Sequence, residues 1–145
     1  MKGSNKETVE TFCRDVFVNH DMSHLDEYMR DDYIQHNDIA ETGKQGFVDL
    51  FVKTFESLPD FTYDVHMTVA DGDIVVVYST MTATHSGEWL DQPPTGNQIK
   101  IDVVDIFRVK DGMISEHWDV ADTLTLFSQM GAVTRPRYGI DKNDA

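Results

Sequence analysis

The spacing of apolar residues changes once along this chain, from the three- and four-residue spacing of amphipathic helices to the alternation of half-buried strands. Helical spacing covers Asn5 to about Asn19, a short segment from Ser23 to Met29, and Thr42 to Ser57, which Pro59 ends. Alternation begins directly after that proline. We therefore expect an α+β fold in which helices from the first half cover one face of a sheet formed by the second half.

Four strands are predicted after residue 59. Their ranges are Phe61 to Val69, Ile74 to His85, Asn97 to Val109, and Met113 to Ala121. The turns Asp71-Gly72-Asp73 and Lys110-Asp111-Gly112 join neighbouring strands in antiparallel pairs. The predicted sheet is thus mainly antiparallel and strongly curved, and the N-terminal helices packed on it leave a cone that can admit a ligand. A closing helix from Asp122 to about Met130 and a mobile tail after about residue 132 complete the chain.

Length and charge narrow the class of protein. The 145 residues suit one domain, which we take to span residues 1–145, and the net charge of −14 disfavours binding to nucleic acid or to a membrane surface. The only cysteine, Cys13, excludes an internal disulfide and is expected on the buried stripe of the first helix. The sequence shows neither the apolar stretch of a signal peptide nor a run of about 18 apolar residues, so a cytoplasmic protein is expected.

A carboxylate interrupts the apolar face of the longest strand. Asp105 shares that face with Ile99, Ile101, Val103, Phe107 and Val109. Burying an unpaired carboxylate costs several kcal/mol, so this one must meet a donor, be protonated or face a wet cavity. Two interpretations stay open at this point: a structural pair within the sheet, or the wall of a functional pocket.

The following strand supplies companions for Asp105. His117 and Asp119 alternate onto one side of that strand, and Trp118 takes the other. If residues 110–112 form a three-residue loop, His117 stands directly across from Asp105, and this is the register we favour. A two-residue turn would instead bring Trp118 beside Asp105, since a one-residue slip exchanges the two faces.

An Asp, His, Asp group in a partly apolar cavity suits proton transfer. Burial raises the pKa of a carboxyl group and a neighbouring imidazolium lowers it, so Asp105, His117 and Asp119 can divide into acid and base near neutral pH. Such a site could remove a proton next to a carbonyl group without a cofactor. The same residues at alternate strand positions also occur as plain cross-strand pairs, so a structural role remains the alternative.

Further polar residues are candidates for binding a substrate. Tyr33, Gln35 and His36 lie in an irregular segment between predicted helices, and His85 ends a strand where it could reach the pocket rim. Each of these could equally be a surface residue. The histidines do not show the spacing of a His-x-His or His-Glu-x-x-His motif, so no metal site is predicted.

Three segments carry a resemblance to a known family. They are Asp32-Tyr33-Ile34-Gln35-His36-Asn37, the Pro-Pro-Thr-Gly run at 93–96, and the run DVVDIFRVKDGMISEHWDVAD at 102–122. The chain resembles the SnoaL-like polyketide cyclases of the NTF2-like superfamily from about Glu7 to Met130. The resemblance implies an NTF2-like cone, a homodimer, and closure of a polyketide ring by intramolecular aldol condensation without metal or cofactor.

The same resemblance implies roles for particular residues. Asp119 falls on the aspartate that acts as general acid and base. Asp105 falls on the family's partner histidine, for which His117 could supply the imidazole, and Gln35 falls at or near a pocket asparagine. His85 matches a histidine often seen before the Pro-Pro-Thr-Gly loop.

The expected activity is therefore that of a cyclase-like lyase or isomerase acting on an apolar carbonyl compound. Asp119, His117 and Asp105 would be its catalytic residues, and a set of neighbouring residues would contact substrate: Tyr33, Gln35, His36, His85 and Trp118. Two alternatives stay open. One is a non-catalytic small-ligand-binding or dimerisation module, with Trp118 at an interface, and the other is an isomerase or hydratase that uses the same pocket.

Overall fold

A computed structural model describes residues 3–137 and 139 of the chain. Its helices are α1 Asn5–Phe12, continued by a π-helix at Cys13–Val18, α2 Leu25–Tyr28, α3 Lys44–Ser57 and α4 Thr123–Gln129. Its strands are β1 Met29–Gln35, β2 Thr62–Asp71, β3 Ile74–Thr84, β4 Gln98–Lys110 and β5 Met113–Ala121. The predicted mobile tail falls partly on residues 138 and 140–145, which lie outside the described residues, whereas residues 132–137 belong to no helix or strand.

The strands form one five-stranded mixed sheet in the order β1-β5-β4-β3-β2. Neighbours from β2 to β5 are antiparallel, as predicted, but β1 pairs with β5 in parallel. The sequence prediction missed this fifth strand and treated it as the end of a helix and an irregular segment. Only Met29 and Tyr33 of β1 are buried, and its charged residues at 30–32 hide the alternation. Its partner also lies far along the chain, so no turn signal marks the pairing.

A bulge in β2 changes which side chains face the core. The pairing of β2 with β3 shifts between Val65 and Met67. Phe61 and Tyr63 are buried before the bulge, whereas Met67 and Val69 are more than half exposed after it. The alternation predicted over Phe61 to Val69 therefore keeps its apolar residues on one face only up to the bulge, because one extra residue moves later side chains to the other face.

The β4–β5 hairpin departs from the favoured register. Lys110 pairs with Met113 across a two-residue turn, in which Asp111 and Gly112 have φ of 53° and 75°, as a type I′ turn requires. The three-residue loop was thus wrong. A shift in pairing after Arg108 then places one extra residue in β5.

This second bulge reverses the effect of the shorter turn. It returns His117 to the face that carries Asp105. Trp118 therefore does not take the place of His117 on that face, as a two-residue turn alone would require. Asp105 pairs directly with Asp119, and His117 pairs with Phe107 one step along the hairpin.

The core lies between the inner face of the sheet and the helices. Ser4 and Glu7 form a capping box that starts α1, and an aromatic cluster of Phe12, Phe17 and Phe47 joins the first helical segment to α3. Asp122 caps α4, which packs on β4. Among the described residues, no helix combines the length and apolar character needed to cross a membrane.

Candidate active site

A cavity of about 550 Å³ opens between α3, α4 and the inner face of the sheet. This volume suits a small organic molecule. Asp105, Asp119 and Asn37 contribute polar groups to its walls, which are otherwise mainly apolar. The larger apolar side chains include Phe17, Phe51, Met81, Trp89, Ile101 and Phe127.

Asp105 is buried and hydrogen-bonded through both carboxyl oxygens. It is 6% exposed, the hydroxyl of Tyr63 donates to its Oδ2 over 2.7 Å, and Nε2 of His117 lies 2.8 Å from its Oδ1. The two interpretations left open by the sequence are therefore compatible. The carboxyl group is paired within the sheet and also lines the cavity.

His117 stands behind Asp105 rather than on the cavity wall. Its Nδ1 lies 2.8 Å from Oε1 of Gln35, whose Nε2 donates to the hydroxyl of Tyr33 over 2.8 Å. The parallel pairing of β1 with β5 makes this contact possible, because it sets Gln35 beside His117. A continuous hydrogen-bonded chain thus runs from Tyr63 through Asp105, His117 and Gln35 to Tyr33.

Asp119 is the more accessible carboxylate of the site. It is half-buried, lines the cavity, and accepts a hydrogen bond from Nδ2 of Asn37 over 2.5 Å. Burial raises the pKa of Asp119, and the Asn37 hydrogen bond and the His117 charge oppose that rise in part. A carboxylate with a raised pKa is a stronger proton acceptor.

The site therefore brings together Asp105, His117 and Asp119, whose nearest ligand-type atoms all lie within 4.8 Å of one another. A group of one imidazole and two carboxylates could also hold a metal ion. Asp105 and His117, however, already satisfy each other and have further partners in Tyr63 and Gln35. Because these hydrogen bonds already occupy the atoms that would bind a metal ion, the arrangement favours proton transfer over metal ligation.

Two predicted substrate-binding residues form a cluster at the sheet edge. His36 contributes to the cavity wall, while its ring stacks on Trp118 at 4.7 Å and its Nε2 lies 2.6 Å from a carboxylate oxygen of Glu116. Trp118 itself lies on the face opposite the cavity, where Arg108 sits 5.7 Å from its ring. The expected substrate contact of Trp118 is therefore not found, because the bulge in β5 turns its side chain outward.

The remaining three predicted substrate contacts are also off the cavity wall. Tyr33 is 2% exposed in the core, and Gln35 lies behind His117. His85 is fully buried, with its Nδ1 3.0 Å from Oγ1 of Thr95, so it does not reach the rim as expected. Its Nε2 has no hydrogen-bond partner among the described residues.

Sequence reasoning missed two residues of the site. Asn37 ends the run at 32–37, but the family resemblance implies Gln35 as the pocket amide instead. Tyr63 lies within the predicted strand from Phe61 to Val69, for which the sequence indicated only alternation. The signal was available, since a phenol on a buried face needs a hydrogen-bond partner and Asp105 was the unpaired group nearby.

Helices on one face of an open, mixed sheet, with ionisable residues inside the resulting cavity, define an α+β domain of the NTF2-like class. Residues 7–130 match the model of the SnoaL-like polyketide cyclase family, and the chain belongs to that family. No curated protein sequence matches the chain significantly.

Solved structures agree with this assignment. TsrD from Streptomyces laurentii is 28% identical, with a TM-score of 0.79 over 88% of this chain and 94% of its own. AclR from Streptomyces galilaeus, a putative hydroxylase, is 27% identical, with a TM-score of 0.76 over 91% and 89%. IdmH from Streptomyces antibioticus, a putative polyketide cyclase, is 27% identical, with a TM-score of 0.73 over 89% and 99%.

Proposed function

We propose that this protein is a cofactor-independent enzyme that closes a ring in a polyketide-like carbonyl compound by enolisation and aldol addition. The observation that carries the proposal is the position of Asp119, a half-buried carboxylate on the wall of a mainly apolar cavity, next to the Asp105–His117 pair. Family membership and the similarity to IdmH support the substrate class.

In the proposed reaction, the carboxylate of Asp119 takes a proton from the carbon next to a substrate carbonyl group. The electron pair left behind forms a carbon–carbon bond to a second carbonyl carbon of the same molecule. The oxygen of that second carbonyl then receives the proton from Asp119. Atoms and charges balance without a co-reactant, and the carboxylate returns to its starting state.

The surroundings of Asp119 suit this role. Burial raises its pKa, which strengthens it as a base, while Asn37 donates to Oδ2 and holds the carboxylate in a fixed orientation. The Asp105–His117 pair sets the local charge next to Asp119, with Asp105 on the cavity wall and His117 behind it. The mainly apolar walls offer water few hydrogen-bonding partners, which would limit the competition of water for the enolate.

Replacing Asp119 by Asn tests the proposal. We expect the Asp119→Asn variant to fold and to bind polyketide-like compounds but to lose ring closure. Chromatography of the products measures ring closure. Asp102→Asn is a matched control, because Asp102 precedes the site on β4 and its carboxylate contacts Tyr78 and Thr80 outside the cavity. Wild-type activity in the Asp119 variant would exclude this residue as the base. Binding by the wild type without any conversion would instead favour the ligand-binding module.

The family resemblance also predicts a homodimer, and we propose that the outer sheet face is its interface. Met67 and Val69 are exposed by 56% and 57%, and their pairing with β3 after the bulge places them on that face. Exposed apolar groups on one face favour association with a second copy. Sedimentation equilibrium of the wild type tests this proposal, and a monomer at micromolar concentration would contradict it.

A further inference from the structure

The orientation of the Gln35 side-chain amide is fixed by the backbone. The N–H of Asn37 donates to Oε1 of Gln35 over 3.1 Å, and a backbone N–H can only donate. Exchanging the amide oxygen and nitrogen would set two donors against each other and leave a part-buried N–H without an acceptor. An N–H group that loses its acceptor in this way destabilises the fold, so the orientation with Oε1 toward Asn37 is the stable one.

The same oxygen atom also faces the imidazole of His117. Oε1 of Gln35 lies 2.8 Å from Nδ1 of His117, and a carbonyl oxygen can only accept. Nδ1 must therefore carry a proton. The hydroxyl of Tyr33 accepts from the Gln35 amide nitrogen, so both ends of the amide are satisfied in this orientation.

The consequence reaches the contact with Asp105. With one proton held on Nδ1, the 2.8 Å contact between Nε2 and Oδ1 of Asp105 needs a second proton, bound either to the nitrogen or to the oxygen. In both cases the Asp105–His117 pair has no net charge. If Gln35 faced the other way, a single proton on Nε2 would satisfy both contacts, and the pair would carry one negative charge beside Asp119.

We propose that Gln35 is a positioning residue that keeps a proton on Nδ1 of His117 and so holds a second proton in the Asp105–His117 contact. Gln35 does not line the cavity and acts only through His117. A neutral pair leaves Asp119 as the only net negative group of the trio. A second negative charge beside Asp119 would favour its protonated form, which cannot act as a base, so the neutral pair keeps the Asp119 carboxylate ionised and ready to accept a proton from the substrate.

Two substitutions distinguish the effect of the hydrogen-bond acceptor at position 35 from the effect of side-chain size. Gln35→Met matches the side-chain length but removes both polar atoms of the amide. Gln35→Glu keeps an acceptor for both Nδ1 of His117 and the N–H of Asn37. Gln98→Met is the matched control, since Gln98 is an exposed residue of β4 that contacts Thr84.

Nitrogen-15 NMR of the histidine side chains in the substrate-free protein provides the test. We expect a protonated Nδ1 on His117 at neutral pH in the wild type, Gln35→Glu and Gln98→Met. In Gln35→Met the proton should move to Nε2 and leave Nδ1 bare. A bare Nδ1 in the wild type, or an Nδ1 that stays protonated in Gln35→Met, would overturn the inference.

The expected effect on rate rests on the proposed function. The positioning role of Gln35 and the proposed function can be refuted separately. Gln35→Met should lower kcat by about tenfold or more with KM unchanged, because the residue affects proton transfer but does not touch substrate. Gln35→Glu should keep more of the rate than Gln35→Met. A wild-type protein with no turnover but a protonated Nδ1 refutes the enzyme and leaves the positioning role, whereas a bare Nδ1 in an active enzyme refutes the positioning role alone.

Discussion

Removal of the Tyr63 hydroxyl tests whether Asp105 depends on its hydrogen bonds. Tyr63 is 7% exposed and donates to Oδ2 of Asp105 over 2.7 Å. In Tyr63→Phe the ring can keep its contact with Phe17, whose centroid lies 4.9 Å away, so the hydroxyl is the main loss. A hydrogen bond to a charged partner contributes about 1.5–3 kcal/mol, and a buried acceptor left unpaired costs a similar amount. We expect the free energy of unfolding to fall by about 2 kcal/mol.

Tyr78→Phe is a matched control for this experiment. The hydroxyl of Tyr78 also donates to Oδ2 of an aspartate, Asp102, but over 3.0 Å and in an exposed position. Water can replace an exposed hydrogen bond, so this variant should change the free energy of unfolding by no more than about 0.5 kcal/mol.

Urea unfolding followed by circular dichroism measures both variants, provided that the slope of the transition is unchanged. We expect a clear difference in midpoint between Tyr63→Phe and Tyr78→Phe. Equal stabilities would refute the view that a buried carboxyl group at Asp105 needs the phenol as a donor.

Three further predictions concern charge, metal and assembly. Because burial raises the pKa of Asp119 in the folded state, the contribution of Asp119 to the free energy of unfolding falls as pH rises through that raised pKa. Asp119→Asn should remove this fall, measured by urea unfolding at several pH values. A steeper fall in the variant than in the wild type would contradict the prediction. Ring closure should survive dialysis against a chelator, whereas loss of activity that Zn²⁺ or Mn²⁺ restores would point to a metal at the site. Val69→Lys should weaken the dimer in sedimentation because it places a charge on an exposed apolar position of the outer sheet face, and unchanged association would show that the interface lies elsewhere.

Most of the fold could be predicted from hydrophobic spacing and turn chemistry. The helices, the antiparallel strands and the inward position of Asp105 follow from periods that local sequence encodes. β1 was not predicted, because its partner strand is distant in sequence and only Met29 and Tyr33 of β1 are buried. The bulges were not predicted, because an extra residue cannot be recognised in the apolar pattern until the partner strand is known.

The site was only partly predictable for the same reason. The alternation of β5 placed His117 and Asp119 on one face, but their partners depend on pairings that cross the sheet. Gln35 reaches His117 only through the parallel β1–β5 contact, and Asn37 reaches Asp119 from the loop that follows β1. Tyr63 reaches Asp105 from β2, across the intervening β3. Such contacts are decided by tertiary structure.

Hydrogen exchange at the carbon next to a carbonyl group tests Asp119 as the base most directly. A 1,3-dicarbonyl compound is incubated with the protein in D₂O, and proton NMR follows the loss of the acidic hydrogen. We predict that the wild type and Asp102→Asn accelerate this exchange, while Asp119→Asn leaves it at the rate of the buffer. Exchange by Asp119→Asn at the wild-type rate would show that another group removes the proton.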